Sequence, residues 1–271
     1  MSSAFTEKRI LGRTGLAVGR LGVGTSYGVD AASLSEAFER GVNYFYWGSR
    51  RSEAMAQVIG DVDRAGRRAD LVVVLQQYTR SALFLKWSFD RGLRRLGLDR
   101  ADVLLLGWYG KAPSPRVMDA AMELRERGRV GHIALSGHNR PLFPELAADG
   151  RFGLFHVRYN AAHRGAEAEV FARIPPGGRP GLVAFTATRW GDLLNPAKMP
   201  EGEPALSASE CYRFALSHPS VDVVLCGPKD REQMREALRA LELGPLSPQE
   251  AERVRRIGDH VHARHRRPFA G

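Results

Sequence analysis

The chain has 271 residues, of which 44% are hydrophobic, and a formal net charge of +10 at pH 7. That length and apolar content allow a sizeable core and fit one α/β domain, which we assign to residues 1–271. The basic charge would suit nucleic acid, but the arginines are scattered along predicted helices without an aromatic-interleaved basic block or zinc-finger spacing, so we expect a solvated surface and no nucleic-acid partner.

In chain order, turn signals at Gly12 and Gly15 first predict a small N-terminal hairpin. Short apolar runs then alternate with segments of helical periodicity that end near Gly or Pro. The predicted strands are Leu21 to Gly24, Asn43 to Tyr46, Leu71 to Leu75, Asp102 to Leu106, His132 to Leu135, Leu154 to Val157, Leu182 to Phe185 and Val221 to Leu225. Continuous apolar strands suit a parallel sheet buried on both faces, so the pattern predicts an α/β fold, a (β/α)8 TIM barrel with a short N-terminal hairpin.

The longest irregular insert, Asn195 to Ala205, follows the seventh barrel strand, and we expect it to lie over the C-terminal mouth. Two cysteines, Cys211 and Cys226, have no second pair to build a framework and are interpreted as reduced thiols of a cytoplasmic protein. No apolar run approaches the roughly 18 residues that a membrane helix needs, and no signal-peptide core is present, so we expect no membrane partner.

Six segments are informative in their order and spacing: LGRTGLAVGRLGVGTSYG at 11–28, GVNYF at 41–45, RADVLLL at 100–106, LRERGRVGHIALS at 124–136, Tyr159-Asn160, and HPSVDVVLCGPKDREQMREAL at 218–238. Together they resemble the aldo-keto reductases, which are NADPH-dependent barrel enzymes that reduce aldehydes and ketones. The resemblance covers nearly the whole chain and implies the same barrel.

The resemblance also implies four catalytic positions: an aspartate ending barrel strand two, a tyrosine proton donor after it, a lysine ending strand three and a histidine ending strand four. These positions fall on Tyr46, on Arg51, on Gln77 (or Gln76 if the register slips by one) and on Gly107. All four family groups are therefore replaced. Without a neighbouring cation a phenol keeps a pKa near about 10, so we do not expect conventional carbonyl reduction.

Aromatic and basic side chains crowd the predicted strand ends, where a barrel enzyme keeps its site. The candidate catalytic residues are Tyr46, Arg51, Gln77, Tyr78, Trp108, His138, His156, Arg189 and Trp190. The tyrosines and histidines are candidates to move protons, and Arg51 or Arg189 to hold an oxyanion. Rim packing, ion pairing and hydrogen-bonded structural histidines are the alternative interpretation, and the sequence leaves both open.

The resemblance implies NADP(H) as the cofactor and no metal. Its contacts fall on Ser136, Phe185, Thr186, Gly227, Lys229, Gln233 and Glu236. The last four match the pattern that holds the adenosine 2'-phosphate and adenine, whereas Phe185 replaces the tyrosine that stacks under the nicotinamide. Gly137 and Ala237 replace two asparagines, so the retention of NADP(H) is left open.

These residues lead to a hypothesis and a rival. The hypothesis is a repurposed enzyme acting on an anionic or aromatic small molecule, by acid/base chemistry such as isomerisation, dehydration or elimination, or by NADPH-dependent reduction of an easier acceptor such as an iminium. The rival is a catalytically silent ligand-binding or regulatory module. The sequence leaves the oligomeric state open.

Overall fold

A computed structural model describes residues 4–24, 27–48 and 52–264 of the chain. Within these residues, eight parallel strands form a closed barrel in chain order, the last strand pairing with the first. After the hairpin strands β1 (Arg9–Ile10) and β2 (Ala17–Val18), the barrel strands are β3 (Leu21–Gly24), β4 (Tyr44–Trp47), β5 (Val72–Gln77), β6 (Ala101–Leu106), β7 (Val130–Gly137), β8 (Phe152–Arg158), β9 (Gly181–Phe185) and β10 (Val223–Cys226). The predicted (β/α)8 barrel is confirmed, and each strand lies within two residues of its predicted bounds.

The predicted N-terminal hairpin is also confirmed, and it lies against the N-terminal ends of the barrel strands. Leu11 and Val18 are fully buried in the same apolar cluster as the inward side chains of the barrel. Gly12 has φ +49°, and a Cβ there would lie 2.2 Å from the backbone nitrogen of Gly181. Only glycine fits this contact, which joins the hairpin to β9.

The helices follow the barrel strands along the chain, the last two after β10, and they begin mostly at side-chain caps. They are α1 (Ala31–Glu39), α2 (Glu53–Arg64), α3 (Ala82–Leu96), α4 (Pro115–Glu126), α5 (Leu142–Ala147), α6 (Ala166–Glu169), α7 (Ala208–Leu216), α8 (Arg231–Leu243) and α9 (Pro248–Arg264). In α3, the side chain of Ser81 accepts from the amide of Phe84, and Gly97 ends the helix in the left-handed conformation. None of these helices is long and apolar enough to cross a membrane.

The strand side chains alternate between two apolar layers, because successive residues of a strand point to opposite faces. On β5, Val72 and Val74 belong to the cluster inside the barrel, whereas Val73 and Leu75 belong to the larger cluster between the strands and the helices. Continuing this alternation puts Gln76 on the inner face and Gln77 on the outer face.

The C-terminal helix α9 packs on the loop after β8. A Cβ on Gly258 would lie 2.2 Å from the carbonyl oxygen of Ala161, so the helix approaches this backbone more closely than any larger residue permits. The predicted insert after β9 is held to the same helix, since Glu203 pairs with Arg253 and Arg256. Both cysteines are free and buried.

Candidate functional site

Three strand ends point into the C-terminal mouth of the barrel at Tyr46, Gln76 and Gly107. Tyr46 packs against the inner cluster, and Gln76 is opposite Leu105 in the β5–β6 register. A Cβ on Gly107 would lie 2.3 Å from Nε2 of Gln76 and 2.9 Å from Cδ1 of Tyr78. The amide of Gln76 and the ring of Tyr78 therefore lie close to position 107, and both side chains would have to shift or be replaced to admit a histidine there.

The assignment of Gln77 to the lysine position is wrong. Its side chain lies outside the barrel, where Ser88 Oγ of α3 donates to Gln77 Oε1 at 2.5 Å. The inward neighbour Gln76 faces the mouth instead, which agrees with the one-residue slip that the sequence left open. A strand reverses every side chain when its register shifts by one, and the apolar run VVVLQQ carries no polar alternation to fix it.

Tyr46 is a half-buried phenol without a cation to activate it among the described residues around its hydroxyl. Burial is the main cause that raises its pKa well above the usual 10, and a side-chain hydrogen bond with Tyr78 raises the pKa further. Tyr46 is therefore a neutral hydrogen-bonding group and a weak acid.

His156 lies inside the barrel rather than at the open mouth. It is 2% exposed, its Nε2 lies 2.7 Å from the hydroxyl of Tyr44, and the ring of Tyr46 packs on it with centroids 5.7 Å apart. Burial lowers the pKa of His156 to about 3, so the ring is neutral. The expectation that His156 moves protons for a substrate is corrected: Tyr44 and Tyr46 separate it from solvent, and it serves as a buried hydrogen-bonded histidine.

Tyr78 and Trp108 form an exposed aromatic pair at the rim, with ring centroids 5.3 Å apart. Trp108 has φ +59°, a left-handed conformation that bulky residues rarely adopt. Arg80 joins the two loops by donating to the carbonyl oxygens of both Tyr78 and Trp108 and by lying 3.6 Å over the ring of Tyr109. The aromatic pair is held in place rather than left on two independent loops.

On the other side of the mouth, His138 and Phe185 lie together, with ring centroids 6.1 Å apart. His138 is exposed, and partial burial, followed by the charge of Arg158, lowers its pKa below 6.5. The lowered pKa favours the neutral imidazole, and the partly exposed ring of Phe185 offers a face for stacking.

The loop after β9 carries three non-glycine residues in the left-handed region, at Thr186, Arg189 and Trp190. Strain of this kind often accompanies a functional loop. The carbonyl oxygen of Thr186 accepts from Asn160 Nδ2 at 2.8 Å, and Trp190 is exposed.

The expectation that Arg189 lies at the mouth and holds an oxyanion is wrong. Its side chain is fully buried, Nη1 donates to the carbonyl oxygen of Val261 in α9 at 2.6 Å, and Nε lies 3.7 Å from Asp192. This arginine fastens the β9 loop to the C-terminal helix, because a buried guanidinium is stable only with such partners.

The predicted nicotinamide contact at Ser136 already has a partner in the protein. Its Oγ accepts from the amide of Trp108 at 3.3 Å, and its carbonyl oxygen accepts from the amide of Tyr109 at 2.8 Å. Ser136 thus supports the strained Trp108 turn.

The predicted adenosine contacts gather at the start of α8. Lys229 is exposed, and its amide donates to Gln233 Oε1 at 3.0 Å. Asp230 caps the helix by accepting from the amide of Gln233 at 2.9 Å. Glu236 accepts from Ser209, with its Oε1 2.6 Å from the serine hydroxyl, and the ring of Tyr27 covers Gly227, where a Cβ would lie 2.5 Å from Cε2.

Arg51 lies outside the described residues, so its position in the site stays a prediction. The sequence interpretation overlooked Tyr44, Arg80, Phe84 and Trp87, and it named Gln76 only as the alternative to Gln77. The period-two alternation of β5 is the signal that identifies Gln76, and the apolar residues on the polar face of α3 are the signal for Phe84 and Trp87.

Among the described residues, no group of three or more His, Cys, Asp or Glu side chains could hold a metal.

No protein-family model matches the chain. A curated protein, L-galactose dehydrogenase from Arabidopsis thaliana, is 25% identical over 285 residues, which span 87% of this chain and 88% of that protein. The apo and holo structures of an aldo-keto reductase from Bacillus halodurans match with TM-scores of 0.75 and 0.77, at 22% identity, over 93% of this chain and 96% of theirs. The chain therefore has the fold of these aldo-keto reductases.

Proposed function

We propose that the chain is an aldo-keto-reductase-like oxidoreductase that uses NADPH to reduce a planar acceptor, such as an iminium ion, that needs no proton from the protein. The observation that carries the proposal is the identity of the side chains that face the inside of the barrel where the strands end. Tyr46, Gln76 and Gly107 stand where the family resemblance places an aspartate, a lysine and a histidine.

These neutral groups disfavour carbonyl reduction. A carbonyl becomes an alkoxide when it accepts hydride, and the alkoxide must be protonated as it forms. Tyr46 is a poor proton donor because burial and Tyr78 raise its pKa. An iminium ion that accepts hydride becomes a neutral amine, so the same site needs no acid.

The aromatic mouth suits a planar cation. Tyr78 and Trp108 present exposed rings, and aromatic faces attract a cation that lies over them. A cationic ligand meets less repulsion from basic side chains than the sequence suggests. Arg189 is buried under α9, and the lowered pKa of His138 favours its neutral form.

The residues at α8 and β9 fit NADPH in part. Lys229 and the amides at the start of α8 would hold the 2'-phosphate, although the Asp230 cap weakens this attraction. Phe185 would support one face of the nicotinamide. When bound, this cofactor supplies the hydride, and the protein contributes the stacking surface and the exclusion of water.

Acid/base chemistry is a weaker candidate, because the burial of His156 leaves His138 as the remaining described histidine at the open mouth. A catalytically silent binding module stays the rival from another class, and the following experiment separates it from the proposal.

The test measures NADPH consumption with the N-methyl dihydroisoquinolinium cation and with nitrobenzaldehyde, alongside NADPH binding by tryptophan fluorescence. We expect consumption with the iminium only, and a loss of at least tenfold for Phe185→Ala. NADPH binding without turnover on any cyclic iminium would favour the binding module. Absence of quenching at millimolar NADPH would overturn the proposal.

A further inference from the structure

A groove of about 790 Å³ begins at the barrel mouth and runs outward over the end of β5 onto α3. We call it the α3 groove. The lining side chains that matter here are Gln76, Gln77, Tyr78, Phe84, Trp87 and Arg91. Tyr78 and Gln76 belong to both the mouth and the groove, so a ligand in the groove reaches the reaction site.

Two buried amides supply the first observation. Gln76 and Gln77 are each 4% exposed, and within the described part of the chain Oε1 of Gln76 and Nε2 of Gln77 have no hydrogen-bond partner. A buried polar atom without a partner is unfavourable, so two of them lining one groove are positions where a ligand would complete the missing hydrogen bonds. Ser88 fixes Gln77 by donating to its Oε1. The pair therefore offers one acceptor and one donor.

Two aromatic rings supply the second observation. Phe84 and Trp87 lie on the outward face of α3, with centroids 5.1 Å apart, and they are 52% and 50% exposed. The buried face of the helix is formed by other residues, including Leu85 and Phe89. An exposed aromatic pair beside a polar groove suits stacking on a planar ring.

The third observation is a cation. Arg91 is exposed and lies over the ring of Trp87 at 5.4 Å, and among the described residues no carboxylate pairs with it. Arg95, one turn further, differs because it pairs with Glu53 and lies over Trp47. Arg91 is the guanidinium in the groove that is available to bind a carboxylate in a bidentate manner.

We propose that the α3 groove binds the planar aromatic carboxylate portion of the substrate. The ring stacks on Phe84 and Trp87, a ring N–H donates to Gln76 Oε1, Gln77 Nε2 donates to the ligand, and Arg91 holds the carboxylate. The inference rests on the proposed function in that the reacting end of the same molecule lies beside Tyr46 and Tyr78. The substrate class is then a heteroaromatic or fused-ring iminium ion that carries a carboxylate, and hydride transfer converts it to the amine.

The test is calorimetric titration of the full chain with indole-2-carboxylate, and with indole as the neutral counterpart, in the absence of NADPH. We expect indole-2-carboxylate to bind at least tenfold more tightly than indole. Arg91→Gln should remove this preference without changing indole binding, whereas Trp87→Ala should weaken both ligands at least fivefold. Arg94→Gln and Leu83→Ala, which alter exposed residues of the same helix outside the groove, are the matched controls and should bind as the wild type does.

Gln77→Met distinguishes a ligand site from a packing role. It removes the unpartnered Nε2 while keeping the length of the side chain, so we expect weaker binding of both ligands without a loss of thermal stability. The proposal that the α3 groove binds this ligand would be overturned by unchanged binding in Arg91→Gln and Trp87→Ala. It would also be overturned if the wild type did not bind at millimolar indole-2-carboxylate. Because NADPH is left out, binding that persists while iminium reduction fails supports the groove and counts against the proposed function alone.

Discussion

Gln76 and Gln77 are chemically identical neighbours with different surroundings. One points into the barrel mouth beside Gly107, and the other bonds Ser88 between the sheet and α3. The difference comes from the pleat of the strand, which sends successive side chains to opposite faces. A substitution at position 76 therefore alters both the mouth and the α3 groove, whereas the same substitution at position 77 alters the groove but not the inside of the barrel.

At this scale we predict which changes restore carbonyl reduction. Tyr46→Asp, Arg51→Tyr, Gln76→Lys and Gly107→His together should produce measurable NADPH oxidation with nitrobenzaldehyde, because an inward lysine lowers the pKa of the new tyrosine. The matched control replaces Gln76→Lys with Gln77→Lys, which puts the amine outside the barrel beside Ser88. Equal activity of the two quadruple variants would refute the inner register of Gln76. Partial sets should stay inactive, since such groups act as a unit.

At the scale of elements, α8 and α9 have different tasks. Helix α8 begins next to the exposed Lys229, and Asp230 caps its first turn by accepting from the amide of Gln233. Helix α9 is fastened to the loops after β8 and β9 by Gly258 and by the bond from Arg189 to Val261. The start of α8 therefore carries an exposed cation, whereas α9 packs against two loops and stabilises them.

The start of α8 should favour NADPH over NADH. A 2'-phosphate there gains a charge-assisted bond from Lys229 and the helix-terminal amides, worth about 1.5–3 kcal/mol. Lys229→Ala should remove most of this preference, as measured by tryptophan fluorescence titration with both cofactors. Lys8→Ala, an exposed lysine before the hairpin, is the control and should leave the ratio unchanged. If Lys229→Ala keeps the full preference for NADPH over NADH, the 2'-phosphate does not bind at Lys229.

Two glycine-to-alanine changes in helices should have opposite effects. Gly258→Ala places a methyl group 2.2 Å from the carbonyl oxygen of Ala161, and we expect this to lower the free energy of unfolding by about 1–3 kcal/mol or more. In Gly60→Ala of α2, the new methyl group meets only the flexible end of Arg64 at 3.3 Å. This change should raise the free energy of unfolding by roughly 0.5–1 kcal/mol. Urea denaturation measures both, and stabilisation by Gly258→Ala would contradict the close packing of α9.

For the whole molecule, buried neutral histidines couple stability to pH. Burial lowers the pKa of His156 to about 3, and burial together with nearby arginines lowers the pKa of His163 to about 3. Unfolded histidine titrates near 6.5, so between about pH 6.5 and pH 3 the unfolded chain binds more protons than the folded one. Stability is therefore complete above about pH 6.5 and falls as the pH decreases.

The size of this effect can be measured at one residue. When the pH falls from about 7.5 to about 5, the unfolded chain binds a proton at His156 and the folded chain does not. This difference alone should lower the free energy of unfolding by about 2 kcal/mol. His156→Gln keeps a hydrogen-bonding group beside Tyr44 and removes the titration, so its loss over the same interval should be smaller by that amount. Urea denaturation of both proteins at the two pH values measures the difference. Parallel losses would mean that His156 is protonated in the folded state.

The barrel could be predicted from the sequence because its determinants are local. Apolar runs of strand length, helical periodicity and the Gly or Pro that ends each helix recur along the chain, and the eight strands agree with their predicted bounds within two residues. The hairpin likewise follows from two glycines with positive φ, Gly12 and Gly15.

The site depended on tertiary structure, because its geometry comes from contacts between distant parts of the chain. Arg189 is buried through a bond to Val261, 72 residues later, and His156 is sealed by Tyr44, 112 residues earlier. The sequence by itself determined that the chain forms a barrel whose strand ends carry exposed aromatic groups such as Tyr78, Trp108 and Trp190. Which of these side chains enter the mouth was decided by strand register and helix docking, since a shift of one residue, or one covering helix, moves a polar group from solvent to the core.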